Sequence, residues 1–156
     1  MKHNLLKIEY DLDFILIGIR SEIEDYKFAY FLNKSPFFQF HRMKKDISYI
    51  INDKKIFFSA FENLNKDEKR TGFLIKNRSL YNETVKDKKT LFNESFGKTA
   101  FLIPELKEFD YLIKLVGVWK KKELLAFTNF LHQMKNAEPY QNINLAQIKS
   151  INNLIF

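Results

Sequence analysis

The feature that most constrains this chain is a handover at its start. Phe14-Ile15-Leu16-Ile17-Gly18-Ile19 is an unbroken apolar run bounded by Asp13 and Arg20. Its length and β-branched content predict a central strand buried on both faces. Ser21-Glu22-Ile23-Glu24 follows without a break. Ser21 with Glu24 three positions on is the pattern of a capping box, so a helix is expected from here to about Asn33. Ile23, Tyr26, Ala29, Tyr30 and Leu32 supply its apolar spacing. Pro36 forbids continuation.

A second segment has the same plan. Asp13 to Phe40 and Asp110 to Ile143 both run from Asp and an aromatic residue through an apolar strand, an aromatic-rich helix and a short strand. The second helix is expected over about Lys121 to Lys135, with Leu124, Phe127, Leu131 and Met134 spaced 3, 4 and 3 as a core stripe. Between the two segments, Phe37 to Met43 reads as a strand. Ile47 to Ile51 and Ile56 to Phe61 read as a hairpin across Asn52-Asp53-Lys54-Lys55. Glu62 to Arg70 reads as a polar connection, and Gly72 to Lys76 as a strand. Asn77 to Lys98 reads as a long loop with a short element near Thr90 to Phe92. Thr99 to Ile103 and Phe109 to Val118 read as a strand pair around Pro104. Glu138 to Ile143 reads as a last strand, and Asn153-Leu154-Ile155-Phe156 is apolar enough to dock. The expected class is α+β: two βαβ-like halves with an antiparallel meander, giving a ferredoxin-like sheet with helices on one face.

The length of 156 residues suits a single domain, and a chain this long buries enough surface to need no staples. A hydrophobic fraction of 46%, with 17 Phe, argues for a packed core. There is no cysteine, which excludes disulfides and thiolate metal sites and is compatible with a reducing compartment. Lys7, Glu9, Asp11 and Asp13 break any signal-peptide core. The apolar runs Phe14 to Ile19 and Leu115 to Trp119 are far short of the roughly 20 residues of a membrane helix. A cytoplasmic protein without a membrane partner is expected.

The net charge of +7 raises a nucleic-acid partner. Of the 26 basic residues, however, only Arg20, Arg42, Arg70 and Arg78 are the forks best suited to phosphates and base edges. Lys, Asn, Ile and Phe share AT-rich codons, so codon usage accounts for much of the charge. Trp119-Lys120-Lys121-Lys122 is the local exception. Lysines at a helix start oppose the helix dipole, an anion would relieve them, and Trp119 offers a base a stacking partner. This is the candidate anion or nucleic-acid patch. The first helix, with Glu22, Glu24 and Asp25 in its opening turn, would repel an anion.

Glu105, Glu108 and Asp110 cluster around Pro104, with Tyr111 beside them. Paired carboxylates perform acid–base work when they converge. Here Asp110 and Tyr111 would diverge on a regular strand, and Glu105 and Asp110 meet only if the chain turns between them. Turn-forming carboxylates are the plainer explanation. His3, His41 and His132 are scattered without a metal-ligand pattern, and Gly18, Gly72, Gly97 and Gly117 are isolated, so phosphate-loop and dinucleotide signatures are absent. No catalytic residue, metal or cofactor is expected. Phe28 and Phe31 on the first helix, and Leu125 and Phe130 on the second, exceed what one core stripe needs. That surplus predicts self-association as a homodimer, or an unknown protein partner.

Ile103-Pro104-Glu105-Leu106-Lys107-Glu108-Phe109-Asp110-Tyr111 resembles the signature of an uncharacterised bacterial family named for its IPExxxVDY motif, except that Phe109 stands where the family has Val. Glu24 to Lys34 and Asn153 to Phe156 also look similar, so the resemblance spans nearly the whole chain. It implies a bacterial, cytosolic, stand-alone small protein and carries no activity with it. It singles out Pro104, Glu105, Asp110 and Tyr111. Ile103 before a proline must be extended, and Pro104 suits an edge strand or bulge, which would explain the motif by architecture alone. The expected function is a small non-catalytic binding or interaction module. The alternatives are an RNA- or anion-binding protein using Trp119 to Lys122, and an enzyme with a Glu105/Asp110 site.

Overall fold

The computed structural model describes residues 13–65, 69–85 and 94–156. It is a mixed α+β structure in which every paired strand is antiparallel to its neighbour. The strands are β1 (Phe14–Arg20), β2 (His41–Arg42), β3 (Ile47–Ile51), β4 (Lys54–Phe58), β5 (Ala60–Asn65), β6 (Arg70–Lys76), β7 (Arg78–Val85), β8 (Glu94–Phe101), β9 (Tyr111–Val116) and β10 (Glu138–Tyr140). The helices are α1 (Asp25–Leu32) and α2 (Lys121–Gln133). Six strands form the main sheet in the order β10-β1-β9-β6-β5-β2, while β3-β4 and β7-β8 are separate hairpins.

The apolar run of β1 lies inside the sheet because β9 and β10 pair with its two edges. Strand alternation then sorts the side chains into two cores. On one face, Ile17, Ile19, Tyr111, Ile113 and Leu115 pack against Phe28, Ala29 and Leu32 of α1 and Phe127 and Leu131 of α2. The rings of Phe38, Phe127 and Trp119 interlock there, with Phe38 centroids 4.6 Å from Phe127 and 5.4 Å from Trp119. On the other face, Leu16, Ile75 and Leu112 meet Ile56 and Phe58 of the β3-β4 hairpin, the Leu102–Leu106 stretch, and Leu154 of the docked C-terminal segment. The hairpin turns at Asn52 and Asp53, both left-handed at φ 48° and 63°, the pair of conformations that matches strand twist in a two-residue turn.

Several expectations need correction. The capping box does not form: α1 begins at Asp25 with no side-chain cap, and Ser21 Oγ instead accepts from the Ile23 amide at 3.2 Å, holding a local turn. Phe37 to Met43 supplies only the two-residue β2, because Phe38 and Phe40 are drawn into the helix-side core. Of the polar connection expected over Glu62 to Arg70, Glu62 to Asn65 belong to β5 and Arg70 opens β6, while residues 66–68 lie outside the described residues. Asn77 to Lys98 is largely the long β7-β8 hairpin rather than a loop, although the short element expected near Thr90 to Phe92 lies outside the described residues. The segments around Pro104 do not pair with each other: β8 pairs β7, while β9 pairs β1 and β6. Pro104 opens a 3-10 turn, Pro104–Leu106, instead of marking an edge strand or bulge. Phe28 is fully buried, so it adds nothing to the exposed surface of α1. The docked tail is as expected, with Leu154 buried and Asn153 Nδ2 donating to the Leu102 carbonyl at 2.8 Å.

Lys114 sits in the middle of β9 and is buried. Its ammonium donates to the Leu154 carbonyl and lies among three rings, 4.5 Å from Phe156, 4.9 Å from Phe14 and 5.4 Å from Phe73. Burial pushes its pKa below the ordinary lysine value. The unfolded chain therefore holds this proton more tightly than the folded one. Stability is expected to rise as pH climbs through the window between the two values, and the penalty is fully present below it. Lys114→Met is expected to change stability by no more than about 1 kcal/mol at neutral pH, since a lost hydrogen bond offsets a lost desolvation cost. Urea denaturation at a series of alkaline pH values checks both points: the rise should be present in the parent and absent in the variant.

Candidate functional site

The residues of the Ile103–Tyr111 segment come together at the ends of β1 and β9 as a clasp. Its centre is Asn77, between β6 and β7, which is fully buried. Asn77 Nδ2 donates to the carbonyls of Leu106 at 2.9 Å and Phe109 at 3.1 Å, and its Oδ1 accepts from the Ile103 amide at 2.9 Å. Its main chain is used as well: the Asn77 amide donates to Asp110 O at 2.9 Å, and its carbonyl accepts from Leu102 at 2.7 Å. One side chain thus satisfies buried main-chain groups of Ile103, Leu106 and Phe109 on the inner side of a 3-10 turn that has no sheet partner of its own.

Six residues of the segment tie it to the rest of the fold. Ile103 and Leu106 are core side chains. Glu105 Oε1 accepts from both the amide and the hydroxyl of Ser150, each at 3.1 Å, and so fastens the C-terminal segment. Phe109 lies flat against Gly18, where an added Cβ would stand 2.6 Å from ring carbons, and stacks on Tyr140 with centroids 5.7 Å apart. Asp110 Oδ2 accepts from the Ser21 amide at 2.7 Å, and its Oδ1 pairs with the Arg78 guanidinium at 3.0 Å. Tyr111 stacks on Phe28 at 4.7 Å, and its hydroxyl donates to the Ile23 carbonyl. Burial, reinforced by the charge of Asp25, drives the Tyr111 phenol far above its ordinary pKa, so it remains a donor.

Beside the clasp lies a cleft of about 730 Å³ lined by Arg20, Ser21, Glu22, Ile23, Asp110, Asn136, Ala137 and Glu138. Asp110 enters it with both oxygens engaged. Arg20 at its rim reaches Glu108 at 3.4 Å, a pair more than half exposed. Glu105 faces Ser150, whereas Asp110 faces Ser21 and Arg78, so the two carboxylates of the acid–base candidate serve different partners. His41 and His132 are exposed and line no part of the cleft. No cluster of three or more metal-ligating side chains exists among the described residues.

The other candidate divides. Trp119 is half-buried in the helix-side core. Its Nε1 donates to Val116 O at 3.2 Å, Phe38 packs against its ring, and the Arg70 guanidinium lies 4.3 Å from the ring centroid. Arg70 also pairs with Glu123 in the first turn of α2. Lys120, Lys121 and Lys122 are exposed, with Lys120 as an N-cap lacking a side-chain bond. The lysines are therefore at the surface, but the ring meant to stack a base is committed to the fold.

Sequence reasoning missed Asn77, because a buried Asn carries no local pattern. It also missed the meeting of Arg42, Lys44 and Lys45 with Lys55 and Phe57 across a second cleft of about 570 Å³. Only the hairpin turn at Asn52-Asp53 hinted at that approach. No helix among the described residues is long and apolar enough to cross a membrane. Comparison with protein-family models, with curated proteins and with solved structures finds no match.

Proposed function

We propose that this chain is a small, non-catalytic interaction module that self-associates as a homodimer through the outer face of α1. The observation that carries this reading is the exposure of Tyr26 at 58%, Tyr30 at 62% and Phe31 at 37% on one short helix. Tyr26 and Tyr30 are one turn apart and form a ridge. Glu22, Glu24 and Asp25 lie at the start of this helix, and Lys34 lies just past its end, 5.0 Å from the Tyr30 ring centroid. Two copies packed with antiparallel α1 helices bring the acidic start of each to the basic end of the other. A twofold interface requires that self-complementarity. The engagement of Asp110, Glu105 and Tyr111 in the clasp supports the non-catalytic half of the reading. It also supports architecture as the reason for the IPExxxVDY-like segment.

The same reading takes the core to be ferredoxin-like. Its support is the order β10-β1-β9-β6, with α1 following β1 and α2 joining β9 to β10 across β1. The two remaining strands, β5 and β2, extend that core at one edge. A cytoplasmic setting is supported by the cysteine-free sequence.

Sedimentation velocity of the full chain at micromolar concentration is expected to give a dimer mass. The exposed-site variant Tyr26→Glu with Tyr30→Glu is expected to give a folded monomer, with parental circular dichroism and a melting temperature that no longer depends on protein concentration. A monomer for the parent chain would overturn the proposal, as would a dimer that survives both substitutions.

A further inference from the structure

The second cleft, between the Arg42–Asp46 loop and the outward face of the β3-β4 hairpin, has a different chemistry. In the β3-β4 register, Ser48 faces Phe57 and Ile50 faces Lys55, so these four share the outward face of the hairpin while Tyr49, Ile56 and Phe58 fill the core. Phe57 is 52% exposed and Ile50 71% exposed. Lys55 Nζ lies 5.6 Å from the Phe57 ring centroid. The Arg42–Asp46 loop forms the other wall. Arg42 is held there by Asp46 at 2.6 Å and Asp25 at 3.5 Å and packs over Phe61 at 5.4 Å, so it fixes the loop and neutralises its acid. Lys44 and Lys45 are exposed and carry no ion pair among the described residues.

We propose that this cleft binds single-stranded nucleic acid, with Phe57 stacking one base and Lys44, Lys45 and Lys55 meeting the phosphates around it. An exposed ring among unpaired cations is the arrangement that binds single strands with little sequence preference, because every base has a π-face and every linkage a charge. Duplex is disfavoured, since its bases are not free to reach a single ring in a cleft. The cations at hand are lysines, point charges that accept any phosphate orientation, while the one arginine is already occupied. Selectivity for base edges is therefore not built in. The site uses none of the exposed rings of α1, and Arg42 in its wall reaches the helix only through Asp25.

The test is fluorescence anisotropy of a labelled 12-mer oligouridylate with the full chain, at several salt concentrations. Binding is expected to weaken with salt at a log–log slope of about −2, as expected for three phosphate contacts on a single strand. Phe57→Ala is expected to weaken it about tenfold. Lys44→Gln with Lys45→Gln and Lys55→Gln is expected to abolish the salt dependence. Changing Lys120, Lys121 and Lys122 to Gln is expected to leave both unchanged. All of these positions are at the surface, and circular dichroism and melting confirm that each variant is folded. The proposal is overturned by a Phe57→Ala variant of parental affinity, by equal binding of a duplex of the same length, or by loss of binding in the Lys120–Lys122 variant alone. It is overturned equally if the oligonucleotide fails to bind at low salt, including the case where phosphatidylserine vesicles bind instead.

Discussion

Asn77→Ala is expected to destabilise the protein by about 4 kcal/mol, because three hydrogen bonds vanish from a fully buried site. The loss exceeds that of an ordinary polar truncation since the partners are main-chain groups. The carbonyls of Leu106 and Phe109 and the amide of Ile103 have no water to turn to. Asn77→Asp separates the two halves of this role. The carboxylate still accepts from Ile103 but presents oxygen to two carbonyl oxygens, so at neutral pH it should be at least as damaging as Ala. Acidification, which restores a donor, should recover part of the difference. Chemical denaturation of both variants at pH 7 and near pH 4 measures this directly. A loss of under 1 kcal/mol for Asn77→Ala would show that the turn holds itself.

Gly18→Ala is expected to cost about 2–3 kcal/mol, an overpacking effect, because its new methyl would stand 2.6 Å from Phe109 ring carbons. The ring has little room to retreat, being stacked on Tyr140 and capped by Arg20 at 5.9 Å. Phe109→Val alone should cost about 2 kcal/mol through the cavity it leaves. In the double variant the methyl enters that cavity, so the combined cost should fall short of the sum by about 2 kcal/mol. A double-mutant cycle by urea denaturation reads out the coupling. Additive costs would mean that the ring and the glycine do not constrain each other.

What could be read from the chain beforehand follows from how local each signal is. The apolar run of β1, the stripe of Phe127 and Leu131 on α2, and the hairpin across Asn52-Asp53-Lys54-Lys55 are each local signals, and all three elements formed, although the turn is tighter than expected: Lys54 and Lys55 belong to β4, and the expected strand Ile56 to Phe61 divides between β4 and β5. The β7-β8 hairpin was missed because it pairs only with itself among the described strands and its sequence does not follow its burial: half-buried Ser79 and Tyr81 alternate with exposed Arg78, Leu80 and Asn82, so the 81% exposed Leu80 breaks the apolar-in, polar-out pattern. Ser21 matched a helix-capping pattern, but Asp110 takes its amide, and the helix starts four residues later. The Asp110 contact lies 89 positions away in sequence, beyond the reach of any local pattern. The site residues fared similarly. Trp119 and the lysines beside it are neighbours in sequence but divide between core and surface, whereas Lys44, Lys45, Lys55 and Phe57 converge only through the fold.

The strand order also governs how the chain reaches this structure. The hairpins β3-β4, β5-β6 and β7-β8 pair strands that are consecutive in sequence and can form within microseconds. The centre of the sheet cannot, because β1 gains its first partner only when β9 or β10 arrives, with Ile19 pairing to Tyr111 and Phe14 to Val116. Closure over so long an intervening chain places folding among the slower, high-contact-order proteins. During synthesis, β1 waits with its apolar run unpaired while most of the remaining chain is made. It is a strand without a sheet, rich in Ile and Leu and free of charge between Asp13 and Arg20. That interval is when the chain is most exposed to wrong pairings with other copies of itself, and when a chaperone that shields a short extended segment would have the most effect.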